Sequence, residues 1–370
     1  MKILFVGPYR QGDGWGEAAR GHIKALMHTS HELAIRPIYM APNPTEVPPE
    51  FAQLEKNRCE KFDLIIQNVL PTYLERYGDS KCVGLSMLET GCLQHTTWPY
   101  HMNLMDEIWV SSQQELKDIT PLITPSAVVH QVPIDVSKFN YNYDTSHWQR
   151  FGFHDKFVFY FVGENIPRKN LQALIMAFHL EFDLSEQVEL LIKTNKAGMD
   201  SSQLYRAIDD KSSQIKKDMQ LYADLSMYKS ECVVTETLTP EHLYGLHQIC
   251  DCFVMPSRGE ACCQPMLDAL GFGNPVIVTD NTGMTTYMDE TVGWKVDSHR
   301  TPVLSKEKPM PFLYTSRETW SEIDILKLQQ AMRCAYKQDT LSKAQMSSRC
   351  KEHVQQFSYE NMGAKLQEML

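Results

Sequence analysis

Pro256-Ser257-Arg258-Gly259-Glu260 runs on through Cys263-Gln264-Pro265-Met266-Leu267-Asp268 to Gly273-Asn274-Pro275, and its grammar is strand, tight loop, helix, strand. Cys252 to Met255 before it is an apolar run of strand length, and Pro275 to Val278 after it begins the next buried strand. Ser257 to Gln264 is small and polar, which suits a loop. Pro265 fits the first helical position, where its missing N–H costs nothing, and Gly271 and Gly273 stop the helix. The start of that helix aims free N–H groups and the positive dipole end at whatever sits above the loop. That is a site for an anion such as a phosphate. Glu260 and Asp268 add two carboxylates beside it. A carboxylate repels a phosphate, so these acids are read as acceptors of hydrogen bonds from hydroxyls. Phosphate flanked by hydroxyls describes a sugar nucleotide.

The spacing of the two acids resembles the Glu-x7-Glu motif of retaining glycosyltransferases with the two-domain GT-B fold, family 4 (glycosyl transferases group 1). Asp268 stands where the second Glu is usual, and Ala261-Cys262-Cys263 replaces a loop that is often Gly-rich. The resemblance implies that Glu260 holds hydroxyls of the donor sugar and Asp268 the ribose. It implies that the amides at Cys262, Cys263 and Gln264 lie near the sugar and diphosphate.

Size and composition agree with such a protein. The chain has 370 residues, enough for two domains, and 43% of them are hydrophobic, as in packed globular proteins. No apolar run approaches the ~20 residues of a membrane span. Met1 to Gly7 reads as a first strand rather than a signal peptide. The ten cysteines are scattered without a Cys-x-x-Cys, which points to reduced thiols and a cytoplasmic protein rather than disulfides or zinc. A formal charge of −10 disfavours a nucleic-acid acceptor without excluding one, because backbone binding needs clustered Lys and Arg.

The expected fold class is α/β, a GT-B pair of Rossmann-like domains facing across a cleft. Residues 1–150 form the N-terminal acceptor domain, 151–355 the sugar-nucleotide domain, and 356–370 a helix returning to the first. Ile3 to Val6, Leu33 to Tyr39, Phe62 to Gln67, Lys81 to Met87, Glu107 to Ser112 and Val128 to Val132 are the strands of the first half. Pro42 to Pro49 is a proline-rich loop. Gly12 to Glu17 reads as a glycine loop before a helix from Ala18 to His28, the phosphate-cradling order of α/β proteins, though without the third glycine of a dinucleotide fingerprint. Phe157 to Gly163 reopens the strand–glycine pattern. Val188 to Lys193 and Val233 to Leu238 are further strands, Asp200 to Lys229 is helical with Lys211, Lys216 and Lys217 as a solvated face, and Gly293-Trp294 reads as a turn. Thr301 to Thr315 is a Pro-rich excursion.

The resemblance covers nearly the whole chain and supplies the remaining roles. Gly14 and Gly16 match a loop that approaches the donor diphosphate. Glu89, beyond the carboxyl end of a strand, matches an acid near the reacting sugar, with His95 as runner-up. Lys169 matches a diphosphate-binding Lys. Glu164 stands where an Arg is usual, a charge reversal for which Arg168 is the candidate cation but not a clean replacement, since adjacent residues at a helix start diverge in direction. Lys193 ends a strand on the cleft side, and Thr237 and Leu238 match the turn at the nucleobase. Trp320-Ser321-Glu322-Ile323-Asp324 matches a Trp-x-Glu-x-Asp pattern of the same subgroup. The catalytic candidates are thus Glu89, Lys169 and Glu260. No Asp-x-Asp occurs, so cations and amides rather than a metal are expected to hold the phosphates, with no cofactor beyond a UDP- or GDP-type donor. Glycan, lipid-linked sugar, protein and modified DNA base all stay open as acceptors. A catalytically silent binding relative and a sugar-nucleotide epimerase are the alternatives.

Overall fold

A computed structural model of the protein describes residues 1–39, 44–304 and 315–370. The stretches expected to loop at Pro42–Pro49 and Thr301–Thr315 therefore lie partly outside the described residues. The described residues form two compact units. One is drawn from residues 1–39, 44–138, 315–319 and 355–370, the other from residues 139–304 and 320–354. Both are built on a six-stranded parallel sheet.

The first unit contains β1 (Lys2–Gly7), α1 (Gly14–Met27), β2 (Glu32–Pro37), α2 (Pro49–Lys56), β3 (Leu64–Asn68), β4 (Lys81–Ser86), α3 (Trp98–Met102), β5 (Glu107–Val110), α4 (Gln113–Ile119) and β6 (Ser126–Val129). Its strand order is β2-β1-β3-β4-β5-β6. Every residue of β3 is buried. Leu64 and Ile66 join Phe5, Ile23 and Leu85 in one apolar cluster, while Ile65 joins Cys82, Trp98 and Ile108 in another. Alternate side chains leave a strand on opposite faces, so both sets are buried here: Leu64, Ile65 and Ile66 as apolar groups, and Gln67 and Asn68 with side-chain amides donating to the Glu75 and Leu85 carbonyls at 2.7 and 3.2 Å.

Two local details differ from expectation or escape it. The helix expected from Ala18 begins at Gly14, because the Asp13 carboxylate caps it by accepting from the Gly16 amide at 2.9 Å. Gly14 and Gly16, read as part of a loop, lie in the first helical turn, and Gly12 precedes the cap. After β4, the backbone N–H of Leu88 donates to the buried Glu115 carboxylate, which also accepts from the hydroxyls of Ser111 at 2.6 Å and Ser112 at 2.7 Å.

The second unit contains β7 (Phe157–Glu164), α5 (Leu171–Glu181), β8 (Val188–Asn195), α6 (Ser201–Met219), β9 (Cys232–Val234), α7 (Pro240–Ile249), β10 (Cys252–Met255), α8 (Gln264–Phe272), β11 (Val276–Thr279) and β12 (Gly293–Val296). A separate two-stranded ribbon, β13 (Ser298–Pro302) with β14 (Thr319–Ile323), and the helices α9 (Ile325–Tyr336) and α10 (Thr340–His353) follow. The last helix, α11 (Tyr359–Met369), belongs to the first unit, where Met362 and Leu366 enter the cluster around Phe5 and Ile23.

The sheet order β12-β11-β10-β7-β8-β9 reverses direction between β7 and β10. The chain leaving the carboxyl ends of two such strands turns to opposite faces of the sheet, and the loops at this point frame a crevice, where open α/β sheets bind ligands. β12, read as a turn, is a strand, and β9 stops at Val234 rather than Leu238. Lys216 is not on a solvated face. Its ammonium pairs with the Glu231 carboxylate at 2.8 Å, joined there by Ser212 and by His179, both at 2.6 Å.

Burial pushes the Glu231 carboxyl up, but His179, Lys216 and Ser212 outweigh it and hold it down at about 2. The ionised form therefore favours the fold above the unfolded value of 4.5, and that stabilisation drains away as pH falls from 4.5 toward 2. Glu231→Gln is expected to cost on the order of 3 kcal/mol at neutral pH, with the gap closing in acid. Chemical-denaturation curves from pH 7 to pH 2 check this, and a gap independent of pH refutes it. Glu115 has the opposite sign. Burial overrides its hydrogen-bond donors and pushes it up to about 7, so the fold favours the neutral acid and loses that stability as pH rises through 7. Glu115→Gln keeps the shape without the charge. It is expected to melt near the parent at pH 5 and above it at pH 8.

Candidate functional site

The carboxyl ends of β7 and β10 carry the two loops that meet at the crevice of the second unit. The loop after β10 delivers Glu260, which is 7% exposed. The loop after β7 delivers Arg168 and Lys169 from a short turn of helix, Pro167–Lys169. Both cations reach the same carboxylate oxygen, Arg168 at 2.9 Å and Lys169 at 2.7 Å. Arg168 also donates to the carbonyl of Gly259. Burial drives the Glu260 carboxyl up, and the charges of Lys169 and Arg168 more than reverse it, leaving it below its ordinary range. An ionised acid with two adjacent cations offers an acceptor for a hydroxyl and net positive charge for a phosphate within one cluster.

The helix after that loop starts at Gln264, with Pro265 second rather than first. Its N-cap is Cys263, which makes no capping hydrogen bond, whereas α1, α4, α6, α7, α9, α10 and α11 each begin on a capping Asp, Ser or Thr. Its end at Gly273 takes φ of 92°, a conformation that glycine adopts without strain. Asp268 lies on the second turn, buried, and accepts from the Gln264 side chain at 3.1 Å. Burial pushes the Cys263 thiol up to about 12, so at neutral pH it is a packing group rather than a nucleophile. The loop itself is pinned from behind. The Gly283 amide donates to the Glu260 carbonyl at 2.7 Å, and a Cβ at Gly283 would come within 2.1 Å of the Ala261 carbonyl oxygen.

Arg168, Lys169, Glu260, Cys262, Cys263, Gln264 and Asp268 thus occupy two adjoining loops and one helix start. Lys193, expected to end its strand, lies two residues before the end of β8 in the same sheet, 9% exposed and donating to the Thr194 carbonyl at 3.2 Å. Burial lowers its pKa, against the attraction of Glu236. Thr237 and Leu238 follow β9 and precede the Thr239 cap of α7, the threonine side chain exposed and the leucine half-buried. Glu164 ends β7, half-buried, and accepts from the Ala197 amide at 3.4 Å. Glu89, half-buried, and Gly14 and Gly16 lie in the first unit. A recess of about 510 Å³ opens beside the end of β9, lined by Arg150, Phe151, Tyr205, Arg206, Thr235 and Glu236 among others, and holds none of the expected site residues. Among the described residues no three or more His, Cys, Asp or Glu are grouped to hold a metal ion.

Sequence reading passed over Asn170, Arg258 and Gly283 as contributors to this site. Asn170 follows Lys169 with φ of 54°, a left-handed conformation in which asparagine is enriched, and that residue choice was the one available signal.

The model of the family described as glycosyl transferases group 1 matches residues 143–307, which include every site residue of the second unit. Over 130 residues the chain is 25% identical to the serotype-specific mannosyltransferase WbdA of Escherichia coli. Those residues are 35% of this chain and 14% of that relative, so the match spans a small part of the curated protein. Among solved structures, HepE of Anabaena in complex with UDP-glucose superposes with a TM-score of 0.67 at 15% identity, covering 100% of this chain and 99% of that one. Sucrose-phosphate synthase of Thermosynechococcus elongatus gives 0.66 at 14%, covering 100% and 98%. A trehalose-6-phosphate protein of E. coli bound with UDP-2-fluoro glucose gives 0.69 at 8%, covering 100% and 98%. At these identities the structures establish the fold, which is GT-B, and within it residues 143–307 are similar to the glycosyl transferases group 1 domain.

Proposed function

We propose that the protein is a retaining, metal-independent glycosyltransferase that moves a hexosyl group from a UDP- or GDP-sugar to an acceptor hydroxyl. The observation that carries this reading is Glu260 bracketed by Arg168 and Lys169 beside a helix start without a capping side chain. The domain match over the same residues supports it, as do UDP-glucose in the HepE complex and the mannosyltransferase named among the relatives. In this reading Glu260 accepts from donor-sugar hydroxyls and Asp268 from the ribose. Lys169, Arg168 and the positive end of α8 face the diphosphate, with Lys193 beside them and Thr237 and Leu238 at the base. Glu89, Gly14 and Gly16 keep their roles by resemblance alone.

Charge develops on the leaving diphosphate as the glycosidic bond breaks, and fixed cations and helix dipoles stabilise it there. No carboxylate is assigned as a covalent nucleophile. The acceptor oxygen then attacks from the face the diphosphate leaves, and the departing phosphate takes its proton, which retains the anomeric configuration.

The test is release of nucleoside diphosphate from UDP- and GDP-sugars across an acceptor panel. Lys169→Ala is expected to lower turnover roughly 10² to 10³-fold, the size found for loss of one such donor. Undiminished turnover in that variant overturns the donor site. Glu164 favours a second reading, a binding protein without turnover, because a carboxylate near the diphosphate weakens leaving-group stabilisation. Tight binding of a sugar nucleotide with no release on any acceptor selects it.

A further inference from the structure

We infer that Glu322 and Arg258 are positioning residues that aim Lys169 and Arg168 at the donor diphosphate. Nothing in the chemistry of the site requires either to touch the donor. Their contacts converge instead on the turn that carries the two cations. The Glu322 carboxylate accepts from the Asn170 side-chain amide at 2.9 Å and, on its other oxygen, from the Arg258 guanidinium. That guanidinium also donates to the Pro167 carbonyl at 2.7 Å. The Arg258 backbone N–H donates to the Arg168 carbonyl at 2.7 Å, and the Ser257 hydroxyl reaches the same carbonyl at 3.1 Å. Pro167, Arg168 and Asn170 are each held by the opposing loop or by β14, and Lys169 lies between them.

The geometry explains two otherwise unconnected features. Asn170 holds a left-handed backbone, φ of 54°, which its side-chain bond to Glu322 fixes in place. Trp320 is 1% exposed, and the Arg258 guanidinium lies 5.4 Å from its ring centroid, which holds the arginine between an aromatic face and a carboxylate. The Ser321 amide donates to the Arg258 carbonyl at 2.7 Å and its hydroxyl to the Asn281 carbonyl at 2.9 Å, so β14 itself is fixed at this point. A Trp-x-Glu element far along the chain thereby orients a cation pair near residue 169. Side chains that bind a charged group work within about half an ångström of their best geometry, and supporting contacts supply that accuracy.

The inference rests on Lys169 and Arg168 binding a diphosphate, as proposed above. Its test separates the two. Calorimetric titration with UDP, UMP, GDP and GMP is run on the parent, Glu322→Ala, Glu322→Gln and Lys169→Ala. Glu322→Ala is expected to weaken binding of the preferred diphosphate about tenfold and leave the matching monophosphate unchanged, because the lost alignment concerns the second phosphate. Glu322→Gln is expected to fall between, since its amide oxygen still accepts from Asn170. Amide exchange in the protein alone is expected to accelerate at Lys169 and Asn170 in both Glu322 variants. Glu322 variants that match the parent in diphosphate affinity and in exchange, while Lys169→Ala binds weakly, overturn the positioning role and leave the donor site standing. A parent that binds no nucleotide overturns both.

Discussion

One carboxylate, that of Glu260, serves two cations, and the second unit is arranged so that it can. A buried acid and two nearly buried bases pay desolvation that only close mutual contact offsets. The contact is available because the sheet order reverses between β7 and β10. At that reversal the loop after β7 and the loop after β10 come together, though they lie 91 residues apart in the chain. A slip in strand order would leave each charge buried alone, a cost of about 3–5 kcal/mol for a broken buried pair. Topology and electrostatics therefore fix each other at this point.

The same cluster shows why the site resists being rigid through its own contacts alone. Glu260 can give up one partner to a hydroxyl, and a cation can turn to a phosphate, only if the backbone beneath stays put. The backbone is held from outside the charges. Gly283 binds the Glu260 carbonyl on one side, and Arg258 binds the Pro167 and Arg168 carbonyls on the other. Main-chain anchoring leaves the side chains adjustable while their origins are fixed, which is what ligand exchange within a charged crevice requires.

How legible this was in the sequence depended on distance along the chain. β10 is a continuous apolar run and β3 and β7 open on one, which reads directly as strand, and the helix after Glu260 carries its own proline near the start and glycine stop. The α1 boundary was misread because glycines argue for a loop on propensity, while Asp13 supplies a cap that outweighs it. β12 was missed because Gly293-Trp294-Lys295-Val296 has no clear period, and its strand state comes from pairing with β11. Lys216 was placed in solvent because a helical face gives no sign of Glu231, 15 residues on, waiting beneath it. The Glu260 motif was visible, but its cations' supports were not. Glu322 and Arg258 are 64 residues apart, and nothing local in either segment records the other.

Glu164 bears on how the site balances its charge. It sits at the end of β7, register-paired with Asn195 of β8, two positions past the pairing of Val162 with Lys193. Parallel strands put paired residues on one face, so Glu164 and Lys193 leave the sheet on the same side as diagonal neighbours. Burial already lowers the Lys193 pKa, and Glu236 is the acid that draws it back up. Three cations, Arg168, Lys169 and Lys193, thus share the sheet end with three acids, Glu260, Glu164 and Asp268. In the reading proposed above, so even a balance leaves more of a departing diphosphate's charge to the dipole of α8 than a site with an arginine at position 164 would. The start of that helix carries no acidic or hydroxyl cap to compete for the role. The charge reversal and the bare helix start are, on this argument, two halves of one adjustment.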